Sequence, residues 1–200
     1  MDEEFHYRQF STYYGGDFKT WDPKITTPPG LYYIQYAFSR ILGGDLGTMR
    51  SLNALIFSNI FLIFKTKIYE FKDPNTNNSS RALNLALTPT IYFFNFLDYT
   101  DTLSLTLITM AFYYNMVKSN NRLALTSLLA LYVRQNNIIW VGFLMAYRIL
   151  TEYKKQMFFP KPFLSHVFTI LKVMWNHKIE IIQQLRLQFL VIAVFFGYLK

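Results

Sequence analysis

Long apolar runs closed by short polar islands dominate this chain, and the charges in the islands change in kind from one to the next. Such runs restrict the fold to helices that lie in or against lipid. The composition agrees, with 52% hydrophobic residues, 19% aromatic and only 16% charged. A soluble domain carries roughly 25% charge. A soluble chain of 200 residues would form one or at most two domains. Disorder is excluded by the apolar content. The absence of cysteine removes disulfides, thiolate nucleophiles and Cys-ligated metals, so any chemistry runs on carboxylates, His, Tyr, Lys or Arg. A net charge of +8 would suit nucleic acid, but the bases are spread between apolar runs and form no stripe or arm, so no nucleic-acid partner is expected. The start MDEEFHYRQF has no apolar core and is not a signal peptide.

The first polar block, residues 1–30, is rich in turn formers and reads as an extramembrane segment with broken helices. Residues 31–42 carry apolar side chains at Leu31, Ile34, Ala37, Phe38, Ile41 and Leu42, the spacing of one helical stripe. Too short to span, this helix is expected to lie at the interface. Spanning helices, about five of them, are expected over residues 50–150. The first centres on Leu52 to Phe64. The next runs from Ala82 to Leu97, with Pro89 as a kink. Thr102 to Val117, Leu123 to Val133 and Ile138 to Leu150 follow, the turn KSNNR forming a hairpin. Residues 151–184 are expected as a basic cytoplasmic loop, and residues 185–200 as the start of a further spanning helix.

Lys and Arg set the orientation. Lys65, Lys67, Lys72 and Arg81 fill one loop, Lys118 and Arg122 the next, and a third basic stretch follows Arg148. Those loops belong on the cytoplasmic side. Residues 1–49, the Asp98–Asp101 island and Arg134 therefore share the opposite face.

The islands on that face hold the candidate chemistry. Asp2, Glu3 and His6 sit in MDEEFH, where a carboxylate beside a membrane loses hydration and becomes a usable proton acceptor. A solvated acidic terminus is the plain alternative. WDPKITTPPGLYY carries interfacial aromatics, paired Thr and paired Pro, which make a stiff hydroxyl-bearing loop suited to sugar or to a simple interface turn. FNFLDYTD places Asp98 and Asp101 at a helix mouth, either for hydroxyl protons or for a helix N-terminus. YVRQNNIIW puts a guanidinium and three amides inside an apolar stretch, a site by default unless Arg134 is merely exposed in a loop. Guanidinium suits phosphate oxygens.

Read together, MDEEFH, WDPKITTPPGLYY, YFFNFLDYTD and VRQNNIIW resemble the family of dolichyl-phosphate-glucose dependent α-1,2-glucosyltransferases of N-glycan precursor synthesis. The resemblance runs from Met1 to about Leu150. It implies an all-α, multi-pass transmembrane bundle of the GT-C class in the endoplasmic reticulum membrane, with a luminal loop of short interfacial helices over residues 1–49. It also implies transfer of the third glucose from dolichyl-phosphate-glucose to the diglucosylated lipid-linked oligosaccharide, with inversion at C1, on the luminal side and without cofactor or metal. By that analogy Asp2 or Glu3 is the catalytic base, and Arg134 takes the donor phosphate, where a preorganised cation stabilises the leaving group. His6, Trp21, Asp22, Thr26, Thr27, Tyr99, Asp101, Gln135 and Asn137 would shape the substrate pockets. Similar proteins carry a membrane helix ahead of the acidic motif and continue past this chain's end, so a fragment is expected.

Two other readings compete. In one, Asp98, Asp101 and Arg134 line the pathway of a small transporter or channel subunit. In the other, the chain is an inactive, truncated membrane partner.

Overall fold

The computed structural model describes residues 3–154 and 163–198, and the described residues contain helices and no strand. The all-α expectation holds. Two short helices, α1 (Glu3–Tyr14) and α2 (Gly30–Leu42), come first. The helix α3 (Leu46–Ser51) begins where the Asp45 carboxylate accepts the Thr48 N–H at 2.9 Å, a side-chain cap on an otherwise unmet donor. It runs through a π-helical segment, Leu52–Phe57, into α4 (Ser58–Lys72). Together they make one rod, Leu46–Lys72, of 27 residues. The rod and α11 (Lys178–Tyr198) are long and apolar enough to cross a membrane.

Between them lie α5 (Asn78–Ala86), α6 (Pro89–Asn95), α7 (Thr100–Met116), α8 (Asn120–Val133), α9 (Asn137–Glu152) and α10 (Phe163–Asn176). The kinked span expected over residues 82–97 is instead two short helices. Pro89 lacks an N–H and stands in the first turn of α6, so it starts a new helix where a kink was expected. Within the stretch expected as a basic cytoplasmic loop over 151–184, α10 occupies Phe163–Asn176, and α11 begins at Lys178, ahead of the expected 185. Residues 155–162 of that expectation lie outside the described residues.

The stripe read along α2 faces the core only in part: Leu31 is buried and Ile34 and Phe38 pack against the core, but Ala37, Ile41 and Leu42 are exposed. Ile41 is 83% exposed, while Leu31, Tyr32, Gln35 and Ser39 are buried. Polar side chains face the protein because partners wait for them there. The main core joins Phe10 of α1, Leu31 and Tyr32 of α2, Met49 and Leu52 of the rod, Leu103 of α7, and Ala130 and Val133 of α8. Gly30 makes the closest approach: a Cβ there would lie 2.5 Å from the Tyr132 carbonyl oxygen. Only hydrogen fits. The Pro-Pro-Gly turn is thereby pressed onto the end of α8, just before Arg134.

Candidate active site

Six of the residues singled out in the sequence line one polar cavity of about 260 Å³: His6, Thr26, Thr27, Tyr99, Asp101 and Arg134. They come from four separate islands. Tyr99 ends the turn before α7, Asp101 lies in the first turn of α7, and Arg134 caps the end of α8. The close packing at Gly30 sets the Thr26–Thr27 loop beside them.

Arg134 and Asp101 form an ion pair. The guanidinium is not buried as the apolar sequence around it suggested, since 36% of its side chain is exposed. A tight turn after α8 turns it out of the core. The same two residues also head an apolar groove of about 510 Å³ between α4, α7 and α9, floored by Leu105, Ile108, Phe112 and Leu144. The pair thus stands at the junction of a polar cavity and an apolar groove.

His6 is buried, and its Nδ1 lies 2.6 Å from the Tyr32 hydroxyl, with its ring 5.4 Å from that of Tyr99. Burial pushes the Tyr32 phenol above its ordinary pKa, so it stays protonated. It can donate to Nδ1, which leaves the ring proton of a neutral His6 on Nε2.

Glu3 is in a different situation. Both its carboxylate oxygens accept from Arg50, at 2.9 and 2.7 Å, and Oε1 also accepts the Asp98 N–H at 2.7 Å. The Arg50 hydrogen bonds hold its carboxyl below the usual carboxylate range, against the opposing effect of burial. Such a group is a poor proton acceptor. Asp2 lies outside the described residues.

Trp21 and Asp22 shape the loop and do not line the cavity. Trp21 Nε1 donates to the Ile25 carbonyl at 3.2 Å, and the Asp22 carboxylate accepts the Lys24 N–H at 2.9 Å. Gln135 is exposed and lines neither space. Asn137 lines the apolar groove, but its amide is bound to Ser104 Oγ at 2.8 Å and to the Ala130 carbonyl at 2.7 Å. It ties α9 to α7 and α8.

Sequence reasoning missed two groups. Lys24 and Phe5 also line the polar cavity, the ammonium 4.9 Å from the ring centroid. Lys24 lies inside WDPKITTPPG, so its presence as a second cation was legible. The other group is a buried clamp on the turn at 97–99. Gln35 Nε2 donates to Asp98 Oδ1 at 2.5 Å, and Asn53 Nδ2 donates to the carbonyls of Leu97 at 2.6 Å and Tyr99 at 3.3 Å. Burial pushes the Asp98 carboxyl up to about 6 although the Gln35 hydrogen bond lowers it. Asn53 belongs to the π-helical segment, a local widening often found at functional sites. No spacing in the sequence announces it.

These features define a class: an all-helical protein with membrane character, carrying a cationic site between a polar and an apolar space. The chain belongs to the DIE2/ALG10 family, whose model matches residues 1–200. It is 36% identical, over 75% of its length, to a protein of Arabidopsis thaliana named Dol-P-Glc:Glc(2)Man(9)GlcNAc(2)-PP-Dol alpha-1,2-glucosyltransferase. Proteins of the same name from Drosophila melanogaster and Candida glabrata are 35% and 32% identical over 70% and 100% of this chain. The matched stretch covers 33%, 32% and 39% of those three relatives. The chain therefore spans about a third of their length. No solved structure matches it.

Proposed function

We propose that this chain supplies the catalytic loop and part of the donor groove of a glucosyltransferase that moves glucose from dolichyl-phosphate-glucose to a diglucosylated lipid-linked oligosaccharide in α-1,2 linkage. The observation that carries this reading is the position of Arg134, whose guanidinium heads both the polar cavity and the apolar groove. A lipid-phosphate sugar needs that order of surroundings: a polar space for the sugar, a cation for the phosphate and an apolar channel for the polyisoprenyl tail.

In the reaction an acceptor hydroxyl attacks C1 of the donor glucose with inversion. Its proton passes to a carboxylate, and the C1–O bond breaks with its electron pair going to dolichyl phosphate. Arg134 stabilises the charge that grows on the leaving phosphate. Asp2 is the base in this reading, which the engagement of Glu3 by Arg50 and the Asp98 N–H supports. Thr26, Thr27, His6 and Tyr99 supply hydroxyl, imidazole and aromatic contacts to sugar. The same reading places the protein as a multi-pass, GT-C-like enzyme in the endoplasmic reticulum membrane, with this cavity on the luminal face, since the basic loops take the cytoplasmic one.

Microsomes containing the full-length protein and both lipid-linked substrates test the proposal. A product one hexose heavier is expected, and its absence from a folded preparation would overturn the assignment. Asp2→Asn should abolish turnover with acceptor binding retained, and Glu3→Gln should act through stability.

A further inference from the structure

We propose that the end of the helix bundle remote from Arg134 holds a second anion site, built for the phosphate of an anionic phospholipid head group. The helices α7 and α9 run side by side from the Asp101–Arg134 pair to a separate cavity of about 260 Å³, which Asn115, Lys118, Tyr147, Arg148 and Glu152 help to line. Along α7 the distance from Asp101 to Asn115 is about 21 Å at 1.5 Å per residue.

The charges in this cavity do not balance. Arg148 is buried, with 6% of its surface exposed. Its Nη1 reaches the Asn115 carbonyl and side-chain oxygens only at 3.4 Å each, and its Nε is 4.0 Å from Glu152. Among the described residues that Nε has no hydrogen-bond partner. Meanwhile Lys118 Nζ, at 2.8 Å, takes the Glu152 carboxylate. Two cations therefore share one carboxylate, and the buried one has the poorer share. A guanidinium held this way in an apolar bundle needs an anion to complete its bonding. A phosphate oxygen accepting from the Arg148 guanidinium, with a second facing Lys118, does so with charge-assisted hydrogen bonds, since both residues line the cavity.

A lipid is the source because of three rings of α7 that immediately precede Asn115 and, without lining the cavity themselves, each carry a cation. Lys67 lies 5.7 Å from the Tyr113 ring centroid, Lys72 lies 5.7 Å from that of Phe112, and Arg122 lies 5.7 Å from that of Tyr114. Cations seated on aromatic rings at one level of a bundle mark the depth of lipid head groups. The exposed Phe71 beside the cavity offers a surface for the acyl chains.

Native mass spectrometry tests this on the full chain purified from vesicles of phosphatidylcholine doped with phosphatidylinositol. One retained phosphatidylinositol is expected. Lys118→Gln and Arg148→Gln should each reduce its retention about tenfold, the equivalent of about 1.4 kcal/mol. Lys118 is well exposed, so its variant keeps the test valid if Arg148→Gln fails to fold. Displacement of the lipid by inorganic phosphate supports the phosphate chemistry. Equal retention by wild type and both variants, or of phosphatidylcholine to the same extent, overturns the site. Binding of inorganic phosphate with no retained phosphatidylinositol overturns the lipid source. Glucosyl transfer is not the readout, so this result stands apart from the proposed enzymatic role.

Discussion

Glu3 and Arg50, 47 residues apart, are joined by two parallel hydrogen bonds of 2.9 and 2.7 Å, and the same carboxylate holds the backbone of Asp98. One acidic side chain at the start of α1 thus ties the long rod to the turn that carries Tyr99. Charge-assisted bonds of this kind contribute about 1.5–3 kcal/mol each when buried, and less where one partner is half exposed as Arg50 is. Glu3→Gln should lower stability by about 1–2 kcal/mol. A chemical denaturation series in detergent checks it.

The pH dependence of stability separates Glu3 from Asp98. Glu3 titrates below its ordinary value in the folded protein, so its contribution is present above about pH 4.5 and is lost as pH falls through the folded value. For Asp98 the sign is opposite. Its carboxyl rises from 3.8 to about 6, so the folded state holds a proton that the unfolded chain has released. Stability should fall as pH rises between about 4 and 6 and then level off. Asp98→Asn should flatten that interval in thermal melts. An unchanged slope in the variant would show that another group is responsible.

Asn53 grips two carbonyls of the 97–99 turn from the π-helical segment. Asn53→Ala removes the one side-chain amide that donates to both, a loss of about 0.5–1.5 kcal/mol for each bond, while the Leu97 carbonyl keeps the Tyr99 N–H at 3.0 Å. Amide hydrogen exchange should quicken over residues 97–101 before it quickens in the rod.

At Gly30 the missing side chain is the requirement. Gly30→Ala drives a methyl against the Tyr132 carbonyl and should cost about 1–3 kcal/mol. In the proposed reaction it should also shift Thr26 and Thr27 away from Arg134, raising the KM. Thermal melts would show the first effect, and steady-state kinetics on the full-length protein the second.

Arg134→Lys keeps the positive charge but loses the planar fork that pairs with Asp101 and, in the proposed reaction, with phosphate. A fall in kcat/KM of about tenfold or more is expected, carried by kcat. A variant with full turnover would move the phosphate contact to Lys24.

The helical class, the turn between α7 and α8, the start and end of α2 and four polar islands whose residues meet at one cavity were all readable from the order of residues. Periodicity and turn chemistry act over a few neighbours, so they leave a local record. What the order of residues could not settle was which polar groups are already spoken for. Glu3 and Asn137 look like site residues in one dimension and are fasteners in three, because Arg50, Asp98 and Ser104 reach them from distant parts of the chain. The inward turn of Gln35 on α2 and the π-helical seat of Asn53 have the same origin. Hydrogen-bond partners and dehydration belong to the packed chain, and only tertiary structure could divide the polar residues into those that hold the fold and those that border the cavity.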